Sequence, residues 1–163
     1  DFIVGDLDSI PQEMSISQLE QLGIAIIPIL DQESNDLAKA MDYCNNLGAT
    51  KIDVVGIEGG RLDHQIGAYF SLCEQESNAI LHLDNWTARL VPSEGLVLNS
   101  IEKGKNISLF AIGTVKGVTL SGVKWTLNNE ELLPGTNGLH NESIGGEIKI
   151  SHLEGHLLIL IER

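Results

Sequence analysis

The sequence predicts an α/β protein in two parts, a doubly wound parallel sheet domain over residues 1–85 and an antiparallel β-sandwich over residues 86–163. Three observations carry this. Apolar strand-like runs alternate with helical patterns as far as Asp84, the order that a parallel sheet with crossover helices requires. Beyond Asp84-Asn85 the helical patterns stop, and short β-type runs separated by Gly, Asn and Pro continue to Arg163. Each of the first three apolar runs also opens into a polar loop, and in an open parallel sheet such loops share the edge where ligands bind.

The first strand is Phe2-Ile3-Val4, running into Gly5-Asp6-Leu7-Asp8-Ser9. Ser15-Ile16-Ser17-Gln18 has the form of a capping box, and Ile16, Leu19 and Leu22 make an apolar stripe that stops at Gly23, so a short helix returns the chain to the sheet. A second strand, Ile24 to Leu30, leads through Asp31-Gln32-Glu33-Ser34-Asn35-Asp36 into a helix starting near Ser34 or Asn35. Leu37, Ala38, Met41, Cys44 and Leu47 form its expected buried face, and Gly48 ends it. The third run, Ile52 to Ile57, precedes Gly59-Gly60-Arg61-Leu62-Asp63-His64 and a helix expected to bury Leu62, Ile66, Tyr69, Phe70 and Cys73, followed by a strand from Ala79 to Leu83. In the second part the strands are Trp86 to Val91, Leu96 to Leu98, Ile107 to Ala111, Val115 to Leu120, Glu147 to Ser151 and His156 to Ile161. That is too many for one hairpin and suits two packed sheets.

The 163 residues suffice for one ordinary domain or two small ones sharing an interface, and 42% hydrophobic content supports a core. No apolar stretch approaches the roughly 20 residues of a membrane span, and no secretory segment opens the chain, so a soluble cytoplasmic protein is expected. The first residues already belong to a strand, which implies a preceding segment. Cys44 and Cys73 fall at apolar helical positions and read as reduced core thiols. Ten Lys and Arg against 23 Asp and Glu give a formal charge of −13. With no basic patch to offset it, this disfavours nucleic acid and leaves a cationic small molecule or a metal-bridged phosphate as compatible partners.

Asp6 and Asp8 stand where the first strand opens into its loop. At roughly 4 Å and an effective dielectric near 20, two like charges repel by about 4 kcal/mol. The pair must therefore hold a divalent ion, raise a pKa or splay apart, and an Asx-type turn is the structural alternative. Oxygen-only ligands favour Mg²⁺ bound with substrate phosphates. Gly59-Gly60 lets backbone amides approach an anion at a helix N-terminus, where Arg61 can add a bidentate phosphate contact. Gly56 to Gly60 matches neither the Lys-Ser/Thr phosphate loop nor the dinucleotide GxGxxG. The histidines His82, His140, His152 and His156 lack metal-ligand spacing, and no GxSxG occurs, which disfavours zinc and Ser-His-Asp chemistry.

In order and spacing, GDLDSI, DQESND and GGRLDH, with the later Gly122-Val123-Lys124-Trp125 and Gly138-Leu139-His140-Asn141-Glu142, resemble thiamin pyrophosphokinase over nearly the whole chain. The resemblance implies transfer of a diphosphoryl group from ATP to the hydroxyl of thiamin, giving thiamin diphosphate and AMP with Mg²⁺. It implies Asp6, Asp8 and Asp36 as metal-binding and catalytic carboxylates, Asp36 being a third ligand or the base near the hydroxyl. Ser9, Asn35, Arg61, Asp63 and His64 would contact ATP, although Ser9 and His64 also suit purely local roles. Gln32, Trp125, His140 and Asn141 would contact thiamin, and Trp125 suits either the thiazolium or the core of the β-part. The family usually carries Ser-Asn where this chain has His140-Asn141. A further strand and Gly-rich nucleotide loop would lie upstream, and a homodimer would share its clefts between protomers. Two other readings remain open: a haloacid-dehalogenase-like phosphatase, from Asp6-Leu7-Asp8, and a non-catalytic thiamin or nucleotide sensor.

Overall fold

The computed structural model describes residues 1–8, 15–31, 33–75 and 78–163. Contacts divide the chain into two compact units, Asp1–Thr50 and Lys51–Arg163.

In the first unit, β1 (Phe2–Gly5) and β2 (Ala25–Pro28) pair in parallel, from Phe2 opposite Ala25 to Gly5 opposite Pro28. Ile29 N carries the pairing one step on, donating to Gly5 O at 2.8 Å. Helix α1 (Ile16–Gln21) links them, and its capping box is complete: Gln18 N donates to Ser15 Oγ at 3.3 Å and Ser15 N to Gln18 Oε1 at 2.8 Å. Of the expected stripe only Leu19 is buried, because six residues present just one inward position, and Ile16 and Leu22 stay exposed. Helix α2 (Asp36–Asn46) begins at the N-cap Asn35, whose Oδ1 accepts from Ala38 N at 2.8 Å. Its buried residues are Ala38, Lys39 and Met41, whereas Leu37 and Cys44 are half-buried and Leu47, beyond the last helical residue, is exposed. Tyr43 meets Phe2 of β1 edge-on, ring centroids 5.3 Å apart.

The second unit starts with another parallel pair, β3 (Ile52–Val54) and β4 (Ala79–His82), joined by α3 (Leu62–Glu74). From β4 the sheet runs on antiparallel through β5 (Trp86–Leu90), so the strand order becomes β3-β4-β5-β11-β7-β10-β6. Here β6 is Leu96–Ile101, β7 Asn106–Ser121, β10 Gly146–Ser151 and β11 Glu154–Glu162, while β8 (Leu127–Leu132) and β9 (Asn141–Glu142) pair with β7. The two strands expected at Ile107 to Ala111 and Val115 to Leu120 are thus one 16-residue strand. Its first half pairs with β11 and its second with β8 and β10, with a register shift between Val115 and Val118. That shift resets the alternation, so Ile107, Leu109 and Ala111 and then Val115, Val118 and Leu120 all enter one core, together with Ile148, Ile150, Leu157 and Ile159. β8 escaped sequence reading because Asn128 to Glu131 are polar and exposed, as suits a strand paired only to β7.

Helix α3 turns a different face inward from the one expected. Ala68, Ser71 and Leu72 are buried, Leu62, Ile66 and Phe70 are exposed, and Tyr69 and Cys73 are half-buried. Ala68, Ser71 and Leu72 stand three and four residues apart, so they share the one helix face that is turned inward. Both cysteines are free and half-buried, not core, and burial raises the Cys73 thiol pKa. No helix among the described residues is long and apolar enough to cross a membrane.

Candidate active site

The acidic site is built on the C-terminal ends of β1 and β2. Gly5 closes β1 with φ 149°, and a Cβ there would lie 2.8 Å from Asp36 Oδ1 and 3.0 Å from its Cγ. Glycine here leaves room for the carboxylate of the first residue of α2 to lie on the strand end, in a backbone conformation that other residues rarely adopt. At the N-terminus of α2 the macrodipole favours that negative charge. One residue on, Asp6 Oδ1 accepts Asp8 N at 3.2 Å, so the Asx-type turn offered as the structural alternative is present. Leu7 between them has φ 68°, a left-handed conformation that costs a non-glycine residue on the order of 1–3 kcal/mol and clusters at functional sites. Asp31 folds the loop before α2, its Oδ2 accepting Ser34 Oγ at 2.7 Å and its Oδ1 accepting Glu33 N at 3.1 Å. The Ser34 hydroxyl first and then the Glu33 amide hold its pKa below the usual carboxylate value. Lys39, which sequence reading passed over, is buried with its Nζ 3.3 Å from Asp36 Oδ1. Its signal was the Asp36-x-x-Lys39 spacing, which puts both on one helix face. Asn35 spends its side-chain oxygen on the α2 cap. Ser9 and Gln32 lie outside the described residues.

Among the described residues no three His, Cys, Asp or Glu side chains come together as a metal cage. All-oxygen donors without a closed cage fit Mg²⁺, which keeps several waters and binds through one or two carboxylates together with substrate phosphates.

In the second unit, the Gly59-Gly60 loop follows β3 and Arg61 is the N-cap of α3. Its guanidinium grips Asp63 with two bonds, Nε to Oδ1 at 3.1 Å and Nη2 to Oδ2 at 2.5 Å. The Arg61 guanidinium thereby lowers the Asp63 pKa to about 2, helped by the His64 amide 3.0 Å from Oδ1. Arg61, Asp63 and His64 are all exposed, so Asp63 presents a pre-aimed guanidinium with donors to spare for an oxyanion. A cavity of about 570 Å³ lies at the ends of β3 and β4, lined by Asp53, Glu58, His82, Asp84 and Arg163 among others. His82 Nε2 sits 2.7 Å from Asp53 Oδ1 there. Sequence reading weighed His82 only as a metal ligand and missed its neighbours, which belong to no motif.

The third group is a corner beside β7. Gly138 crosses β7 so closely that a Cβ would stand 2.3 Å from Leu109 O, and Leu109 N donates to Gly138 O at 2.8 Å. His140, exposed with φ 59°, donates its amide to Ser108 Oγ at 3.4 Å. Asn141 is only 8% exposed. Its Oδ1 accepts Trp125 N at 3.1 Å and Glu142 N at 2.9 Å, and its Nδ2 donates to Trp125 O at 2.6 Å. The amide expected to meet thiamin also fixes the Trp125 backbone. Trp125 itself is 55% exposed, not core, and the Lys124 ammonium lies 4.6 Å from its ring centroid. A held aromatic face that already accepts a cation is what a cationic ligand needs.

Two family models match the chain, thiamin pyrophosphokinase catalytic domain over residues 1–82 and thiamin pyrophosphokinase vitamin B1 binding domain over residues 95–157. The chain belongs to the thiamin pyrophosphokinase family. Solved thiamin pyrophosphokinases share its fold. The Bacillus subtilis structure has TM-score 0.78 at 23% identity, over 99% of this chain and 77% of that one. The Geobacillus thermodenitrificans structure has TM-score 0.79 at 24% identity, over 99% and 76%. A probable thiamine pyrophosphokinase from Staphylococcus saprophyticus has TM-score 0.61 at 26% identity, over 98% and 75%. A search of curated proteins found no match. Within this family the chain keeps both halves in order, acidic strand ends in the catalytic-domain match and the Trp125 corner in the vitamin B1-binding match.

Proposed function

We propose that this thiamin pyrophosphokinase family chain transfers the diphosphoryl group of ATP to thiamin with Mg²⁺, as a cytoplasmic homodimer. The thiamin hydroxyl oxygen attacks the β-phosphorus, the bond to the α–β bridging oxygen breaks, AMP departs and the hydroxyl proton is released. The observation that carries this is the Asp36 carboxylate seated on Gly5 beside the Asp6–Asp8 turn. It supports Asp6, Asp8 and Asp36 as the carboxylates that receive the phosphate-bound cation, with Asp36 as third ligand or as base for the hydroxyl. Mg²⁺, when bound, neutralises charge on the phosphate oxygens and aligns them for in-line attack. Arg61 contacts phosphate while Asp63 aims it, with Ser9, Asn35 and His64 contributing to ATP contacts, and Trp125 stacks on the thiazolium. Gln32 and His140 complete the thiamin contacts. Residues 1–85 serve ATP and metal and residues 86–163 serve thiamin and dimerisation.

The test is AMP release on adding thiamin and Mg-ATP. Orthophosphate release without thiamin would instead support the phosphatase reading, and thiamin binding without AMP would support the sensor. If each cleft draws on two chains, mixing Asp36→Asn with Trp125→Ala protomers, assayed at thiamin well below the KM of Trp125→Ala, raises activity above that of either variant alone. No recovery in verified heterodimers would remove the shared cleft.

A further inference from the structure

Among the described residues, Lys39 is the one ammonium group in the buried class, its side chain 4% exposed against 53% for Asp36. A buried charge is costly unless paired, and Asp36 Oδ1 lies 3.3 Å from its Nζ. The flanking buried positions, Ala38 and Met41, are apolar, so packing alone would be met by an aliphatic side chain. Replacing buried ion pairs by apolar residues of similar volume is often neutral or stabilising, and Asp36 is itself 53% exposed, so stability alone does not call for the Lys39 charge. Its position relative to Asp36 gives it a role. The carboxylate is bounded by the Gly5 Cα on one side, where even a Cβ would stand at 2.8 Å, and held by Nζ through Oδ1. The Lys39 charge also reaches Asp31, at the start of the same loop.

We propose that Lys39 is a positioning residue that fixes the Asp36 carboxylate against Gly5 in the orientation used by the metal–phosphate site. This rests on the role proposed for Asp36, and the experiment separates the two. Mn²⁺ binding is measured by electron paramagnetic resonance with a non-hydrolysable ATP analogue, beside kcat, thiamin KM and a thermal melt, for wild type, Lys39→Met, Lys39→Arg, Asp36→Asn and the Met/Asn double variant. Lys39→Met is expected to melt no lower than wild type, to weaken Mn²⁺ binding about ten-fold, the scale for residues that orient metal ligands, and to lower kcat at unchanged thiamin KM. Lys39→Arg recovers most of the loss, and Lys39→Met adds nothing on top of Asp36→Asn. Should the Met variant fail to fold, Lys39→Gln takes its place. Wild-type Mn²⁺ affinity in Lys39→Met beside an impaired Asp36→Asn overturns this inference alone, as does a further loss in the double variant, which would make Lys39 a direct phosphate contact. Wild-type behaviour of Asp36→Asn overturns the role of Asp36, and this inference with it.

Discussion

The acidic strand ends and the Trp125 corner hold their functional groups in opposite ways. Asp8 and Asp36 are exposed on loop and helix-start positions, and the Asp6–Asp8 turn rests on one bond of 3.2 Å from the Asp8 amide to the Asp6 carboxylate. Trp125 is an exposed ring whose backbone is clamped on both sides by a buried amide on a β-strand. The difference fits the ligands proposed for the two regions. A hydrated cation arriving with phosphates completes its own coordination and needs reachable oxygens, whereas a flat cationic ring is bound only by a face that is already in place. Asp8 should therefore be chemically indispensable and structurally cheap, whereas losing Asp36 would also leave buried Lys39 unpaired, and Asn141 should be the reverse of Asp8.

The largest effect is expected from Asp8→Asn. Losing one metal-binding oxygen should cut turnover on the order of 10²-fold or more, the scale of a lost electrostatic contact in a transition state, while the melt is unchanged. Activity assays at high Mg²⁺ beside a thermal melt check this, and near-normal turnover in the folded variant would remove Asp8 from the site. Asn141→Ala should act through the fold instead. It leaves the Trp125 amide and carbonyl and the Glu142 amide without these partners, for a stability loss of about 3 kcal/mol, roughly 1 kcal/mol for each of three part-buried groups. Chemical denaturation measures it, and an unaltered midpoint would break the contrast between the regions.

Trp125→Ala should have a smaller effect than either. Stacking of a cation on an aromatic face is worth about 1–2 kcal/mol, so thiamin affinity should fall roughly ten-fold with ATP affinity nearly unchanged. Because the ring is exposed, stability should shift by no more than about 0.5 kcal/mol. With Trp86 replaced by Phe, quenching of Trp125 on thiamin binding is the direct reading, and a silent ring would take it out of the site. The smallest effect concerns Asp63, whose pKa is depressed to about 2 by Arg61. A depressed carboxylate pKa means the ion pair is fully formed above the ordinary value near 3.8 and is lost as pH falls through about 2. An NMR titration of the Asp63 carboxyl carbon should show that midpoint, moving up in Arg61→Ala. An unmoved midpoint would mean that Arg61 does not aim through Asp63.

Sequence reading reached furthest where a few neighbouring residues settle the matter. The Ser15–Gln18 capping box, the α2 start at Asn35 and the polar loops after β1, β2 and β3 all depend on bonds made within a turn or two. It went wrong on α3, whose bulkier stripe Leu62, Ile66 and Phe70 looked like the buried face. Hydrophobicity and spacing rank faces by apolar content, but how near a helix comes to a sheet depends on the size of the side chains between them.

By itself, then, the chain's sequence determined the order of strands and helices from β1 to β5, the change of character near Asp84 and the loops that carry Asp6, Asp8, Asp36 and Arg61, because hydrogen bonding, capping and periodicity are local. Tertiary structure alone decided that Gly5 makes room for Asp36, that Lys39 is buried against it, that β7 is one strand serving two sheet portions, and that Asn141 is a strut under an exposed Trp125. Each of these depends on which residues distant in sequence come to lie within a few ångströms, and no local pattern encodes that distance.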